Sequence, residues 1–350
     1  MMEKKERLIY PDILRIVSVF GVLVIHSISI FWDNIPVKTG SWAAFACIDS
    51  IFRFVVPVFV MISGMFMLSP EKDRGIKNLY SKNILHILTS FIFWSFLYAL
   101  FKNIPTNPEI SFSIKDFILS FIKGEYHLWF LFMIAGLYIV TPILRKIVND
   151  KKLTEYFLVI WFVFCLFANF AKLIPYFGNT IFEVLEKFKM SAAIQYSGFY
   201  IFGYYLNKHP LDKKFRVPVY ILGFLSIAFT ALATIYSSFR LSSEQTVYFD
   251  YLFPTTLFSS CSIFIFVQNF CKNRSFSEKK NRIIAALSKY SFGVYLCHVL
   301  VIKTLKRLDI INLNLPYLVI FLIVLISTVI ISTIASAILN HIPVLKKYIV

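Results

Sequence analysis

Apolar runs of about twenty residues recur along this 350-residue chain, and they limit its fold more than any other feature. Each run is long enough to cross a hydrocarbon core of roughly 30 Å as a helix. A bilayer offers no water to unpaired backbone groups, so helices are the structures that such runs form. With 58% hydrophobic residues and a mean hydropathy of +0.71, the chain falls in the membrane class.

We therefore predict an all-α, polytopic integral membrane protein of about ten transmembrane helices. Residues 1–350 are expected to form a single domain with no separate soluble part. The sixth run is short and carries several polar residues, so we expect it to line a polar cavity rather than to face lipid. The predicted spans are Pro11–Trp32, Ala43–Leu68, Ile84–Phe101, His127–Leu144, Leu153–Ala171, Ser191–Leu206, Val217–Tyr236, Asp250–Phe270, Ile283–Ile302 and Leu315–Leu339.

The net charge of +17 would favour a nucleic-acid partner in a soluble protein, but here the basic residues form short clusters between the apolar runs. No arginine-rich loop with interleaved aromatic residues occurs, so we predict no nucleic-acid partner and expect contacts with anionic lipid headgroups. Lysine and arginine are about twice as frequent in the loops on the N-terminal side as in those on the opposite side. This bias predicts that both termini lie in the cytoplasm.

The remaining features of the loops and termini are less specific. The five cysteines lie in or beside apolar runs without C-x-x-C spacing, which predicts buried thiols and no metal site. The N-terminus has a basic start and an apolar run, and no small-x-small cleavage site follows the run, which favours a retained signal anchor over a cleaved signal peptide. Two long outer loops, Lys102–Tyr126 (with Pro105 and Pro108) and Lys172–Met190, are either caps over a substrate opening or connectors. Within the second, the pattern over Ile181–Leu185 predicts an interfacial amphipathic helix.

The first run carries three ionisable residues, Asp12, Arg15 and His26, that lipid does not favour. Arg15 and His26 are eleven residues apart, which on a helix is three turns plus about 20°. Both therefore lie on one helix face, roughly 16 Å apart along the axis. His26 lies near the middle of the predicted span, and ionisable groups deep in a bilayer are costly and by default indicate function. The alternative is structural: an arginine that extends to the headgroups, and a histidine bonded to a neighbouring helix.

Polar residues also occur at the middle of the second run and the start of the fourth. Asp49 and Arg53 are spaced i to i+4. They either form a structural ion pair or leave Arg53 to hold an anionic group in the interior. For His127 and Trp129, an aromatic belt at the membrane interface and contact with a polar substrate are both open.

The ninth run carries a third set. Ser291, Tyr295 and His298 follow i, i+4, i+7 spacing and share a helix face. Such a face is typical of packing between membrane helices, and it also suits contact with a polar substrate.

These residues together resemble the acyltransferase family 3 membrane proteins, in particular the bacterial O-acetyltransferases of surface polysaccharides, over essentially the whole chain. The hallmark of that family is an arginine, ten residues and a histidine in the first span, which Arg15 and His26 match. The other matching patches, in chain order, are Arg53 with Val56–Phe59 and Ser63–Gly64, then His127–Phe130, Phe199–Leu206 and Ser291–His298.

The resemblance implies a multi-pass enzyme of a bacterial inner or plasma membrane. Such an enzyme moves an acyl group, usually acetyl, from cytoplasmic acetyl-CoA to a hydroxyl of a cell-surface polysaccharide or lipid-linked sugar, without a metal. Many members carry two arginines, three apart, at the start of the third span, where this chain has Asn83 and His86. Lysine replaces such arginines only in part, because it lacks their bidentate fork. The residues we assign to the donor are Arg15, Arg53, Lys77, Lys82 and His86.

Arg15 and His26 are the predicted catalytic residues. If the thin arm of CoA follows the face that they share, its thioester approaches His26. The neutral imidazole would then act as general base on the sugar hydroxyl, which we favour, or accept the acetyl group itself. The predicted acceptor contacts are His127, Trp129, Tyr295 and His298.

Two other classes of protein remain open from the sequence. In a multispan transporter or flippase, Arg15 and His26 would form a proton or anion path, although the sequence shows no internal repeat of the kind common in transporters. In a membrane sensor or scaffold the same charges would be structural. Release of free CoA thiol from acetyl-CoA separates the enzyme from both.

Overall fold

A computed structural model describes residues 7–32, 34–73, 75–104, 112–272 and 274–350, and the regular secondary structure in these ranges is helical. Short 3-10 and π-helical turns join several of the helices. Pro105 and Pro108 of the predicted outer loop lie outside the described residues. The α-helices are α1 (Tyr10–Ser29), α2 (Gly40–Phe52), α3 (Val55–Met67), α4 (Gly75–Asn78), α5 (Leu85–Asn103), α6 (Ile114–Lys123), α7 (Trp129–Val148), α8 (Lys151–Trp161), α9 (Ala168–Ala171), α10 (Gly178–Glu186), α11 (Met190–Ile194), α12 (Ser197–Lys208), α13 (Lys213–Leu241), α14 (Pro254–Lys272), α15 (Glu278–Arg307), α16 (Tyr317–His341) and α17 (Pro343–Tyr348).

Nine helical runs among the described residues are long and apolar enough to cross a membrane, and each overlaps one of the ten predicted spans. Side-chain caps define several of the helix starts. Thr39 accepts a hydrogen bond from the backbone N–H of Trp42 at the start of α2, and Asp150 accepts one from Leu153 at the start of α8. The chain is thus an all-helical, multi-pass membrane protein.

The prediction of one continuous sixth span is wrong. The stretch forms two short helices, α11 and α12, with a break at Gln195 and Tyr196. The indole N–H of Trp161 donates to the carbonyl of Gln195 (2.6 Å), which fixes the chain at this break. With twelve residues, α12 alone is only about 18 Å long, which is shorter than a hydrocarbon core of roughly 30 Å. Most of its residues are buried, in agreement with the expectation that this stretch does not face lipid.

Two compact units make up the chain. Unit 1 consists of Met1–Asp73 and Ile143–Ser288, and unit 2 consists of Arg74–Pro142 and Lys289–Val350. The helix α10 in unit 1 confirms a helix over the predicted amphipathic stretch.

The core of unit 1 contains a close contact between α3 and α12. A side chain at Gly64 would collide with the backbone carbonyl of Tyr200, and one at Gly203 would collide with the carbonyl of Met61. The two backbones therefore touch at two glycines, one on each helix. Small residues permit such close approach between membrane helices. This contact is what holds the short, buried α12 in place.

In unit 2, α6 packs on α5. Ser113 caps the start of α6, and Gly124 ends it with a φ of +69°, which glycine adopts without strain. Phe117 and Phe121 of α6 lie edge-on to Phe96 of α5, with ring centroids at 5.8 and 6.3 Å. The predicted long loop between the third and fourth spans thus contains a helix that lies against the third span.

Candidate functional site

The first helix, α1, carries Arg15 and His26 on one unbroken stretch from Tyr10 to Ser29. Phe20, 43% exposed, marks the outward face of this helix, and it lies about 140° around the axis from Arg15. Val19 and Val22 lie between Arg15 and His26 on their common face, and both are buried. The face that joins Arg15 to His26 is therefore covered by protein, while the two polar residues themselves are half-buried.

A buried carboxylate organises the start of this helix. Asp12, 4% exposed, accepts hydrogen bonds from Arg7 (2.8 Å), Arg15 (3.2 Å) and the hydroxyl of Ser288 (2.7 Å). The guanidinium of Arg15 also lies over the ring of Phe66, 5.0 Å from its centroid. Two guanidinium groups on one carboxylate leave a net positive charge, so this end of α1 attracts anions.

At the other end of the helix, His26 stands one turn before the last residue of α1. The hydroxyl of Ser29 donates to its backbone carbonyl (2.8 Å). The imidazole is half-buried. It thus belongs to the same face of α1 as Arg15, three residues before the helix ends at Ser29.

The predicted pair in the second span forms. Arg53 makes an ion pair with Asp49, which is buried. The helix is interrupted at Arg53, between α2 and α3. The Arg53 guanidinium carbon lies over the ring of Phe249, 4.1 Å from the ring centroid. Arg53 thus contacts the segment that precedes α14 and also donates to the backbone carbonyl of Phe249, whereas Arg15 is bonded to Asp12 at the start of α1. Its assignment to the donor remains a prediction.

The other residues predicted to contact the donor belong to unit 2. Lys77 and Lys82 are exposed. His86 lies at the start of α5, where its Nδ1 is 3.1 Å from the backbone carbonyl of Lys347 and its ring is 5.6 Å from Phe292. The C-terminal helix α17 thus contacts His86, which stands where many members of the family have an arginine. The role of Lys77, Lys82 and His86 in donor binding stays a prediction.

Three of the four predicted acceptor residues form a buried cluster in unit 2. The ring of His127 lies 5.1 Å from that of His298 and 5.7 Å from that of Tyr295. The hydroxyl of Tyr295 donates to the backbone carbonyl of His127, and Nδ1 of His298 is 2.6 Å from the carbonyl of Tyr295. Trp129 does not join them. It is 39% exposed beside Tyr126, which is 53% exposed, as the aromatic-belt interpretation expects.

Some members of these clusters had no signal in the sequence. Ser288 donates a hydrogen bond to Asp12, although the two residues are 276 positions apart in the sequence. Helix periodicity predicts only contacts between residues that are close in the sequence. Tyr98 in α5 lies 5.1 Å from the ring of His127 and donates to the carbonyl of Leu296. An aromatic residue in a span rich in aromatic residues gives no sign of such a contact.

A family described as an acyltransferase domain matches residues 8–337, nearly the whole chain. No curated protein and no solved structure gives a significant match. The matched range includes all of α1, the partners Arg15 and Ser288 of Asp12, and the buried cluster of unit 2. The chain therefore belongs to the acyltransferase family 3 of membrane proteins.

Proposed function

We propose that this protein is an O-acetyltransferase that moves an acetyl group from cytoplasmic acetyl-CoA to a hydroxyl of a cell-surface polysaccharide or lipid-linked sugar. The observation that carries the proposal is the covered face of α1, with Arg15 anchored by Asp12 at one end and His26 at the other. The charge bias of the loops supports a cytoplasmic location for the start of α1 and for both termini. The membrane would then be a bacterial inner or plasma membrane.

Arg15 suits the binding of an anionic donor. Its guanidinium is oriented by Asp12 and by the ring of Phe66, so little side-chain freedom is left to lose on binding. A phosphate group accepts paired N–H bonds from such a fork. The thin arm of the donor would extend from there along α1 towards His26, which lies roughly 16 Å further along the axis.

His26 suits proton transfer from the acceptor. A neutral imidazole takes the proton of the sugar hydroxyl while the oxygen forms a bond to the thioester carbonyl carbon. The carbon–sulfur bond then breaks, the thiolate of CoA leaves, and the imidazolium returns the proton to it. The products are an acetyl ester and free CoA. An unperturbed histidine has a pKa of about 6.5, which suits proton transfer near neutral pH.

The buried cluster of His127, Tyr295 and His298 supports an acceptor role for unit 2. Imidazole and phenol groups are donors and acceptors of the kind that polyhydroxylated ligands need. Trp129, being exposed, would touch an acceptor only as part of the surface at the membrane interface.

The test uses the full-length protein, purified in nanodiscs and supplied with acetyl-CoA and, as acceptors, with surface and lipid-linked glycans extracted from cells that lack the protein. We expect the wild type to release free CoA thiol, and His26→Ala to lose at least about 99% of this release, as befits loss of a general base. His341→Ala is the matched control, because His341 is exposed and bonded to its own helix. Full thiol release by a folded His26→Ala protein would overturn the role of His26, and its absence from the wild type would overturn the enzyme.

The acceptor is identified in cells. Surface glycans from cells with and without the protein are compared for base-labile acyl groups. Loss of one ester at one sugar position names the transferred group and the acceptor together, whereas identical ester profiles contradict the proposed acceptor class.

A further inference from the structure

A cavity of about 900 Å³ opens in unit 1 beside the start of α1. Its walls come from the residues that lead into α1, the end of α12, the start of α13, the end of α14 and the segment that follows α14. A volume of this size is typical of sites for small molecules and cofactors. The charged residues of its lining are Arg7, Asp12, Arg216, Lys272 and Arg274.

The charge of this lining is strongly positive. Asp12 already pairs with Arg7 and Arg15. Among the described residues, no carboxylate lies within ion-pair distance of Arg216, Lys272 or Arg274. Three cations therefore face one cavity without a counter-ion from the described chain, and a bound anion would supply it.

Neutral groups orient the two arginines. Arg216 donates to the side chain of Asn269 and to the carbonyl of Leu211 (2.8 Å). The guanidinium of Arg274 lies 4.0 Å from the centroid of the Phe270 ring. Both forks are thereby held in place while their charges stay uncompensated, which is the arrangement that phosphate recognition uses.

Amide side chains complete the lining. Asn281 donates from its Nδ2 to the carbonyl of Phe276 (3.3 Å). Its Oδ1 is buried, and no group in the described part of the chain bonds to it. A buried acceptor without a partner costs about 1–3 kcal/mol, so a ligand with an N–H group fits here. Asn207 and Gln268 line the same cavity and add further donors and acceptors.

We propose that the cavity lined by Arg216, Lys272, Arg274 and Asn281 binds the phosphate-bearing nucleotide end of the acyl donor. The arginines and the lysine match phosphate oxygens, and the amides match the exocyclic amine and ring nitrogens of a base. Asp12 belongs both to this cavity and to the cluster that holds Arg15, so the occupant lies beside the start of α1. This inference rests on the proposed function, and it gives the phosphates a site within unit 1 that the sequence did not indicate.

The experiment measures binding of radiolabelled CoA, without an acyl group, to the full-length protein in phosphatidylcholine nanodiscs. The test variant carries Arg216→Gln, Lys272→Gln and Arg274→Gln. The control variant carries Lys289→Gln, Lys346→Gln and Lys347→Gln, which remove the same charge from a cavity of unit 2. We expect the Kd for CoA to rise roughly 30-fold or more in the test variant and less than about threefold in the control.

Two further measurements separate binding from folding. The single variant Arg274→Gln changes an exposed residue, and we expect it to raise the Kd for CoA by roughly fivefold. The wild type is expected to bind CoA more tightly than 3′-dephospho-CoA, and the triple variant is expected to lose this preference. His26→Ala should bind CoA as the wild type does and fail only in transfer.

The outcomes are distinguishable. If the wild type binds CoA and the test and control variants bind it equally well, the cavity assignment is overturned and the proposed function stands. If the wild type binds no CoA, both fall. Mass spectrometry of co-purified lipid covers the other source of phosphate: loss of phosphatidylglycerol from the test variant, with its affinity for CoA unchanged, would assign the cavity to a lipid headgroup and overturn the donor.

Discussion

Replacing Asp12 with asparagine removes one charge from the cluster at the start of α1 while it keeps the size of the side chain. Asp12 is buried and accepts hydrogen bonds from Arg15 and Ser288. Breaking a buried ion pair costs about 3–5 kcal/mol, and breaking an exposed one costs about 0–1 kcal/mol. The Arg15 side chain is 33% exposed, so the loss falls between these limits, at about 2 kcal/mol.

This free energy acts on the position of Arg15. A loss of about 2 kcal/mol is roughly 30-fold in an equilibrium constant, and we expect KM for acetyl-CoA to rise roughly 10- to 30-fold, because Arg15 binds the donor. The removal of a negative charge raises the positive potential at the donor-binding end, which offsets part of this rise. The value of kcat for thiol release is expected to change little, because His26 is left in place. A purely structural role of Asp12 would instead lower the yield of folded protein and leave KM of the folded protein unchanged.

The assay is the initial rate of thiol release against acetyl-CoA concentration, normalised to monodisperse protein. Glu278→Gln is the matched control, because its ion pair with Arg282 is almost fully exposed and lies in the same range of sequence as Ser288. Its KM is expected to stay within about twofold of the wild-type value. An unchanged KM in folded Asp12→Asn would refute the positioning of Arg15 by Asp12.

Three further predictions concern packing, charge and orientation. Gly203→Ala places a methyl group against the carbonyl of Met61, and such overpacking costs about 1–3 kcal/mol. We therefore expect the unfolding temperature in detergent to fall by several degrees. Gly136→Ala is the control, because its new methyl group would have no atom within 4 Å, and its unfolding temperature should equal that of the wild type. In a double-mutant cycle, Asp49→Asn and Arg53→Gln should show a coupling free energy of about 1–3 kcal/mol, and additive effects would contradict their ion pair. Lys346→Cys, in a background without other cysteines, should react with an impermeant maleimide in inverted vesicles and not in intact cells, if the C-terminus is cytoplasmic.

Features set by the local sequence were predictable. Apolar runs determine where helices cross the bilayer, and nine of the predicted spans coincide with helices. Spacing along one helix also placed Asp49 next to Arg53 and buried Tyr295 with His298 on one face. These relations involve residues within two turns of each other, where helix geometry leaves few alternatives.

Features set by packing between distant segments were not predictable. The sequence shows Asp12 as a charge in an apolar run, but its partner Ser288 lies at the far end of unit 1 in the chain. The break at Gln195 likewise depends on Trp161, which approaches from another helix. The basic cavity draws its cations from basic clusters that are far apart in the chain, and the sequence analysis used the charge of these clusters only to predict membrane orientation.

The shortness of α12 has a consequence for how the protein is made. A segment of twelve residues cannot partition into the bilayer by itself, so it must enter the membrane against a partner that is already there. Its partner α3 is synthesised more than a hundred residues earlier and offers the glycine surface that accepts it. Insertion of α12 is thereby a step of tertiary folding, and a defect in the second span would be seen first as mislocalisation of residues far downstream.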